Sequence, residues 1–112
     1  MTTPKPRFTI FVLLRTLPSW LSLPRSRRNE IANSAFADTL KDESVTIRHF
    51  DAEAFTAFCT DIAMFEADDL ISFHFVMERL RDSAFFAEPY FELVQIIPAV
   101  EDGFRYFENT AA

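Results

Sequence analysis

A chain of 112 residues, 49% apolar and 25% charged, has the make-up of one soluble folded domain, enough for a single modest core and too small for two. Its one glycine, Gly103, excludes the glycine-rich loops that cradle phosphates and dinucleotides, and its one cysteine, Cys59, excludes a disulfide framework and a paired-thiol metal site. The net charge of −6 runs against nucleic-acid binding, which calls for a basic surface.

The charge is unevenly spread: residues 1–28 hold six bases and no acid, and the rest carry all seventeen acids against five bases. The basic cluster Arg25, Arg27 and Arg28 is too short to read as a nucleic-acid site and fits a solvated first helical turn. Fourteen phenylalanines are more aromatic surface than one small core hides easily, which favours a lined cavity or a subunit interface. No run approaches the roughly 20 apolar residues that span a membrane. The lone thiol suits a reducing compartment, so a cytoplasmic location is expected.

Residues 1–6 read as a frayed lead-in. Residues 7–16 form a strand whose two faces, Phe8, Ile10, Val12 and Leu14 against Thr9, Phe11, Leu13 and Arg15, are both largely apolar, as in a central strand covered twice. Residues 17–23 read as a loop that folds Trp20 back onto the body. A helix over 24–41 follows, with Ser22 or Ser26 as its cap and Ile31, Ala32, Ala35, Phe36 and Leu40 as its buried stripe. The second strand, 44–51, sets Val45, Ile47 and His49 on one face and Thr46, Arg48 and Phe50 on the other. After a short connection, the third strand, 59–66, opposes Ile62 and Met64 to Ala63 and Phe65, with Asp61 either near an edge or paired.

A second helix begins at Asp68 or Asp69, where a carboxylate suits both the cap and the helix dipole. Leu70, Phe73, Val76, Met77 and Leu80 are its buried stripe. Ile71 and Phe75 fall on another side and need a cover. A turn over 83–90 leads to a fourth strand at 91–97, ended by Pro98, and then to a short helix at 100–109 that could supply that cover. Strand, helix, strand, strand, helix, strand is the order of a ferredoxin-like βαββαβ domain with an antiparallel four-stranded sheet and both helices on one face. The other face would be apolar, so a homodimer packing sheet on sheet, a dimeric α+β barrel, is expected.

Placed on these elements, the motifs Asp51-Ala-Glu-Ala-Phe55, Thr60-Asp61-Ile-Ala-Met-Phe-Glu66, Glu78-Arg-Leu-Arg-Asp-Ser83 with Phe85-Phe86, and Tyr90-Phe-Glu92 with Ile97-Pro98 and Glu101 resemble the darcynin family of small microbial proteins. The resemblance covers most of residues 8–108. It implies a likeness in outline to dimeric ferredoxin-like proteins that include cofactor-free monooxygenases, cyclases and haem enzymes, an analogy of fold that does not fix chemistry.

The polar residues suggest two groupings. His74, Glu78 and Arg81 follow at spacings of four and three on the second helix, so their side chains can meet; His74 is the expected base, Arg81 the anion partner and Glu78 the orienting group. The plainer account is a helix salt bridge beside a half-buried histidine. Arg48, His49 and Arg15 are candidate polar contacts to a ligand, and Trp20, Phe73, Met77 and Tyr90 candidate apolar walls; packing alone explains most of the aromatics, and Arg48 could instead pair with Asp61 or Glu92. No metal-binding spacing occurs, so no metal is expected, and no cofactor; haem is a minor branch. The expected function is binding, with possible oxygenation or cyclisation by proton transfer, of a small hydrophobic or aromatic molecule. The alternative is a non-catalytic binding or interaction protein.

Overall fold

The computed structural model describes residues 4–41 and 44–111. Within them the chain forms β1 (Phe8–Thr16), α1 (Pro18–Leu21), α2 (Arg25–Thr39), β2 (Thr46–Asp51), β3 (Asp61–Ala67), α3 (Leu70–Asp82), α4 (Ala84–Ala87), β4 (Phe91–Val100) and α5 (Gly103–Ala111). The strands make one sheet in the order β2-β3-β1-β4, and every neighbouring pair is antiparallel. This is the ferredoxin-like α+β arrangement that the order of elements predicts.

Strand alternation decides what is buried. Ile10 and Val12 on β1 and Ala63, Phe65 and Ala67 on β3 face the helices, where they meet Ile31 and Ala35 of α2 and Phe73, Val76, Met77 and Leu80 of α3. The Phe65 and Phe73 rings meet edge to face at 5.5 Å. The opposite face carries Phe11, Leu13, Ile62, Met64, Phe50 and Ile97, and among the described residues no element covers it.

The helix boundaries follow from local chemistry. Asp69 caps α3 by accepting from the Ser72 N–H at 2.7 Å, and Ser83 accepts from the Phe85 N–H at the start of α4. Neither Ser22 nor Ser26 caps α2: Pro24 sits at that position without a side-chain bond, and the Arg28 guanidinium donates to the Leu21 and Leu23 carbonyls. The expected loop at 17–23 contains the short helix α1, with Pro18 in its first turn, where its missing N–H leaves no bond unmade.

Three further expectations are corrected. Pro98 does not end β4, which runs on to Val100; β4 is an edge strand, where a residue without an N–H is tolerated, and Pro98 pairs with Ile10. The terminal helix does not cover α3. The chain turns at Asp102, whose φ is 46°, and α5 leaves Phe104 and Phe107 exposed, as are Ile71 and Phe75. Leu70, expected in the buried stripe of α3, is also exposed, at its first turn. The expected lead-in falls partly on residues 1–3, outside the described residues.

Candidate functional site

A cavity of about 390 Å³ lies between the helix-facing side of the sheet and helices α1, α2 and α4. Trp20, Phe36, Phe85, Phe86 and Phe91 form its aromatic wall over a floor of Val12, Leu14, Ile47, Ala63 and Phe65. The Trp20 ring lies 5.7 Å from Phe85 and 5.1 Å from Phe91, and Phe36 lies 5.4 Å from Phe85. The wall is held in place by backbone: the Leu17 N–H donates to the Tyr90 carbonyl at 2.9 Å and the Ser19 hydroxyl to the Pro89 carbonyl at 2.8 Å.

Phe91 reaches the cavity because of an irregularity in β4. Leu13 pairs with Gln95 but Leu14 pairs with Leu93, which leaves Val94 as an extra residue. Such a bulge reverses the alternation, so Phe91 and Leu93 face the helices while Gln95 and Ile97 face the open side.

At one end of the cavity stands a polar group centred on Asp61, which is 8% exposed. Its Oδ1 lies 2.9 Å from Nε2 of His49. Its Oδ2 accepts from the Thr16 hydroxyl at 2.7 Å and the Thr60 hydroxyl at 2.6 Å. The sheet register builds this group. Asp61 opens the central strand β3, pairing with Leu14 on one side and Asp51 on the other, so Thr16 and His49 are its diagonal neighbours on the helix-facing side. Thr60 is fixed by its own N–H, which donates to the Leu14 carbonyl, and by its hydroxyl oxygen, which accepts from the Thr16 N–H.

The pairing favours one tautomer of the imidazole. An ionised carboxylate only accepts, so a neutral His49 opposite it presents Nε2–H to Asp61 and has its lone pair on Nδ1. Asp51 adds a second carboxylate, its Oδ1 3.9 Å from Nε2 of His49, and its side chain is exposed at the cavity mouth. Among the described residues no lysine or arginine lines the cavity, whose polar lining is Thr16, Asn29, His49, Asp51 and Asp61.

The other predicted residues fall elsewhere. His74, Glu78 and Arg81 do come together, in an open groove with Phe73, Met77, Phe86, Leu93 and Ile96. The contacts are loose: His74 Nε2 lies 3.9 Å and Arg81 Nη1 4.0 Å from Glu78 Oε1, and all three side chains are more than half exposed. Arg48 is on the open face of the sheet, over the Phe50 ring at 5.2 Å, so it pairs with neither Asp61 nor the cavity. Arg15 donates to the carbonyls of Ala57 and Phe58 and fastens the connection between β2 and β3. Tyr90 packs on Trp20 at 5.3 Å without lining the cavity. Cys59 is buried. Sequence reasoning puts His49 among the ligand contacts but misses its union with Asp61, Thr16 and Thr60; the available signal is that His49 sits in phase with the half-buried Ile47, and Asp61 with the buried Ala63 and Phe65.

Fold and site place the molecule in a class: a ferredoxin-like α+β domain with a lined cavity between sheet and helices. Solved structures of the same fold include a haem-binding protein from Thermus thermophilus (TM-score 0.78, 17% identity, covering 94% of this chain and 45% of that one). They also include a putative chlorite dismutase (0.75, 17%, 88% and 45%) and a mutant chlorite dismutase from Candidatus Nitrospira defluvii (0.77, 15%, 98% and 47%). The chain spans about half the length of these solved structures, and at such identities the likeness establishes fold alone.

In sequence the chain belongs to the darcynin family, a domain of unknown function, which it matches over residues 1–111. Darcynin 1 of Acinetobacter baumannii is 41% identical over 90 residues, 80% of this chain and all of that protein. Darcynin of Chromobacterium violaceum is 56% identical over 68 residues, 61% of this chain and 86% of that one. A darcynin homolog of Granulibacter bethesdensis is 37% identical over 102 residues, 89% and 82%.

The geometry makes Thr60 a test of the buried carboxylate. Thr60→Val keeps the shape and removes one donor from Asp61, which costs about 1–3 kcal/mol of stability in urea unfolding. An unchanged midpoint would show that the hydroxyl does not hold the carboxylate.

Proposed function

We propose that this protein binds a small aromatic or hydrophobic molecule in the cavity beneath Trp20, and that His49, rather than His74, exchanges a proton with it. The observation that carries this reading is the His49–Asp61 pair at 2.9 Å on the rim of an aromatic cavity. A cavity of about 390 Å³ falls within the roughly 300–1,000 Å³ usual for small-molecule sites. Asp61 orients the ring and would stabilise the imidazolium formed when Nδ1 takes a proton, while the threonine hydroxyls keep the carboxylate in place. Removal of a proton from carbon or from a phenol is a first step shared by cofactor-free cyclisation and oxygenation. The groove at His74 supports this chemistry less well, since Glu78 lies 3.9 Å from the imidazole, whereas Asp61 meets His49 at 2.9 Å.

Haem, which one structural relative is named for binding, does not suit the cavity. Its ionisable lining, His49, Asp51 and Asp61 with no lysine or arginine among the described residues, carries no cation to meet the carboxylates of that group.

A second copy of the chain covering the open sheet face completes the reading. Support comes from the uncovered apolar residues Phe11, Leu13, Ile62, Met64, Phe50 and Ile97 and from the doubled length of the solved relatives. Light scattering at micromolar concentration should give twice the 13.0 kDa chain mass, and Ile97→Lys, at an exposed edge position of that face, should give the single mass with unchanged circular dichroism. A wild-type monomer would contradict the pairing.

The proton-transfer reading is tested with phenylacetone in D2O, following loss of its methylene signal by NMR. Wild-type protein should accelerate the exchange, His49→Ala should lose at least about a hundredfold of that acceleration, and His74→Ala should keep it. Equal rates for wild type and His49→Ala would end the assignment.

A further inference from the structure

We infer that the cavity selects a cationic ligand: an aromatic or aliphatic body of one or two rings bearing a protonated amine. This rests on the reading of the cavity as the binding site and specifies the charge of its occupant. The apolar part of such a ligand matches the wall of Trp20, Phe36, Phe85 and Phe91. The charged part matches the mouth, where the ionisable lining consists of His49, Asp51 and Asp61, with no lysine or arginine among the described residues.

The two carboxylates are not equivalent. Asp61 is buried and already receives the imidazole and two hydroxyls. Asp51 is exposed, and its one ionic neighbour among the described residues is the His49 imidazole at 3.9 Å, too far for a hydrogen bond. Its oxygens are available to an ammonium group at the cavity mouth, with Asp61 adding attraction from behind. The same arrangement opposes an anion, which would lose its hydration and gain two negative neighbours. The indole and phenyl faces that line the cavity also attract a cation, and the net charge of −6 favours its approach.

Proton transfer points to the same class. A negative charge developing beside Asp51 and Asp61 is opposed more strongly on a neutral ligand than on one that brings a positive charge of its own. An amine close to the acidic position supplies one, leaving the ligand neutral overall once His49 has taken its proton.

Trp20 is the chain's one tryptophan and lines the cavity, so its fluorescence reports occupancy directly. Three probes of similar shape separate charge from shape: 2-phenylethylamine, 2-phenylethanol and 3-phenylpropionate. The amine is expected to bind at least about tenfold more tightly than the carboxylate, with the alcohol between them, and added salt should narrow the gap. Asp51→Asn, a change at an exposed side chain, should bring amine and carboxylate within about threefold of each other while leaving the alcohol unchanged. Carboxylate binding as tight as amine binding overturns the charge inference while the cavity stands as the binding site, as does an amine preference untouched by Asp51→Asn. If none of the probes perturbs Trp20 at millimolar concentration, the cavity reading fails and the charge inference with it.

Discussion

The buried carboxylate of Asp61 is the constraint around which this site is arranged. An ionised group in the interior is costly unless its lone pairs are met, and here three donors from three places in the chain meet them: Thr16 at the end of β1, His49 in β2, and Thr60 just before β3. The donors on β1 and β2 converge because β3 lies between those strands, so their side chains are diagonal neighbours of Asp61. A slip of one residue between β2 and β3 would turn His49 to the other face and leave the carboxylate short of a donor. The register that closes the core and the register that builds the site are the same.

The helices do the complementary work. The apolar stripes of α2 and α3 close on Ile10, Val12 and Phe65, burying Phe73, Val76, Met77 and Leu80 of α3. On the α2 side small residues leave space between helix and sheet: Ala32 and Ala63 line the cavity where larger side chains would fill it. Trp20 and the α4 phenylalanines form a rim instead of a plug. The surplus of aromatic residues, conspicuous in the composition, thus goes partly to a cavity wall, and partly to an open sheet face and to α3 and α5, whose Ile71, Phe75, Phe104 and Phe107 are left exposed.

Much of the fold is legible in the sequence because alternation in strands and helical spacing in α2 and α3 are direct imprints of burial. Alternation assigns Val45, Ile47 and His49 to one face and Thr46, Arg48 and Phe50 to the other, and the structure has them so. The site is legible only in fragments. That His49 and Asp61 face the same layer follows from their own strands, but that they touch follows from how β2 and β3 are paired, which no local pattern records. The bulge at Val94 is likewise invisible: strict alternation keeps Phe91 with Ile97, and the extra residue separates them. The helical spacing of His74, Glu78 and Arg81 is easy to see and correct as a spacing, yet it says nothing of depth, and the three side chains lie at the surface. Pro98 misleads for a related reason, since its effect depends on whether the strand is central or at an edge.

The central claim is that ligands enter the cavity beneath Trp20 and not the groove beside α3. A map of amide and methyl shifts during titration of the isotopically labelled protein with 2-phenylethylamine tests it most directly. The account predicts the largest changes at Ala32, Ile47, His49, Ala63 and Phe85, around the cavity. Changes concentrated at His74, Met77, Arg81 and Leu93 would place the ligand in the groove and contradict it.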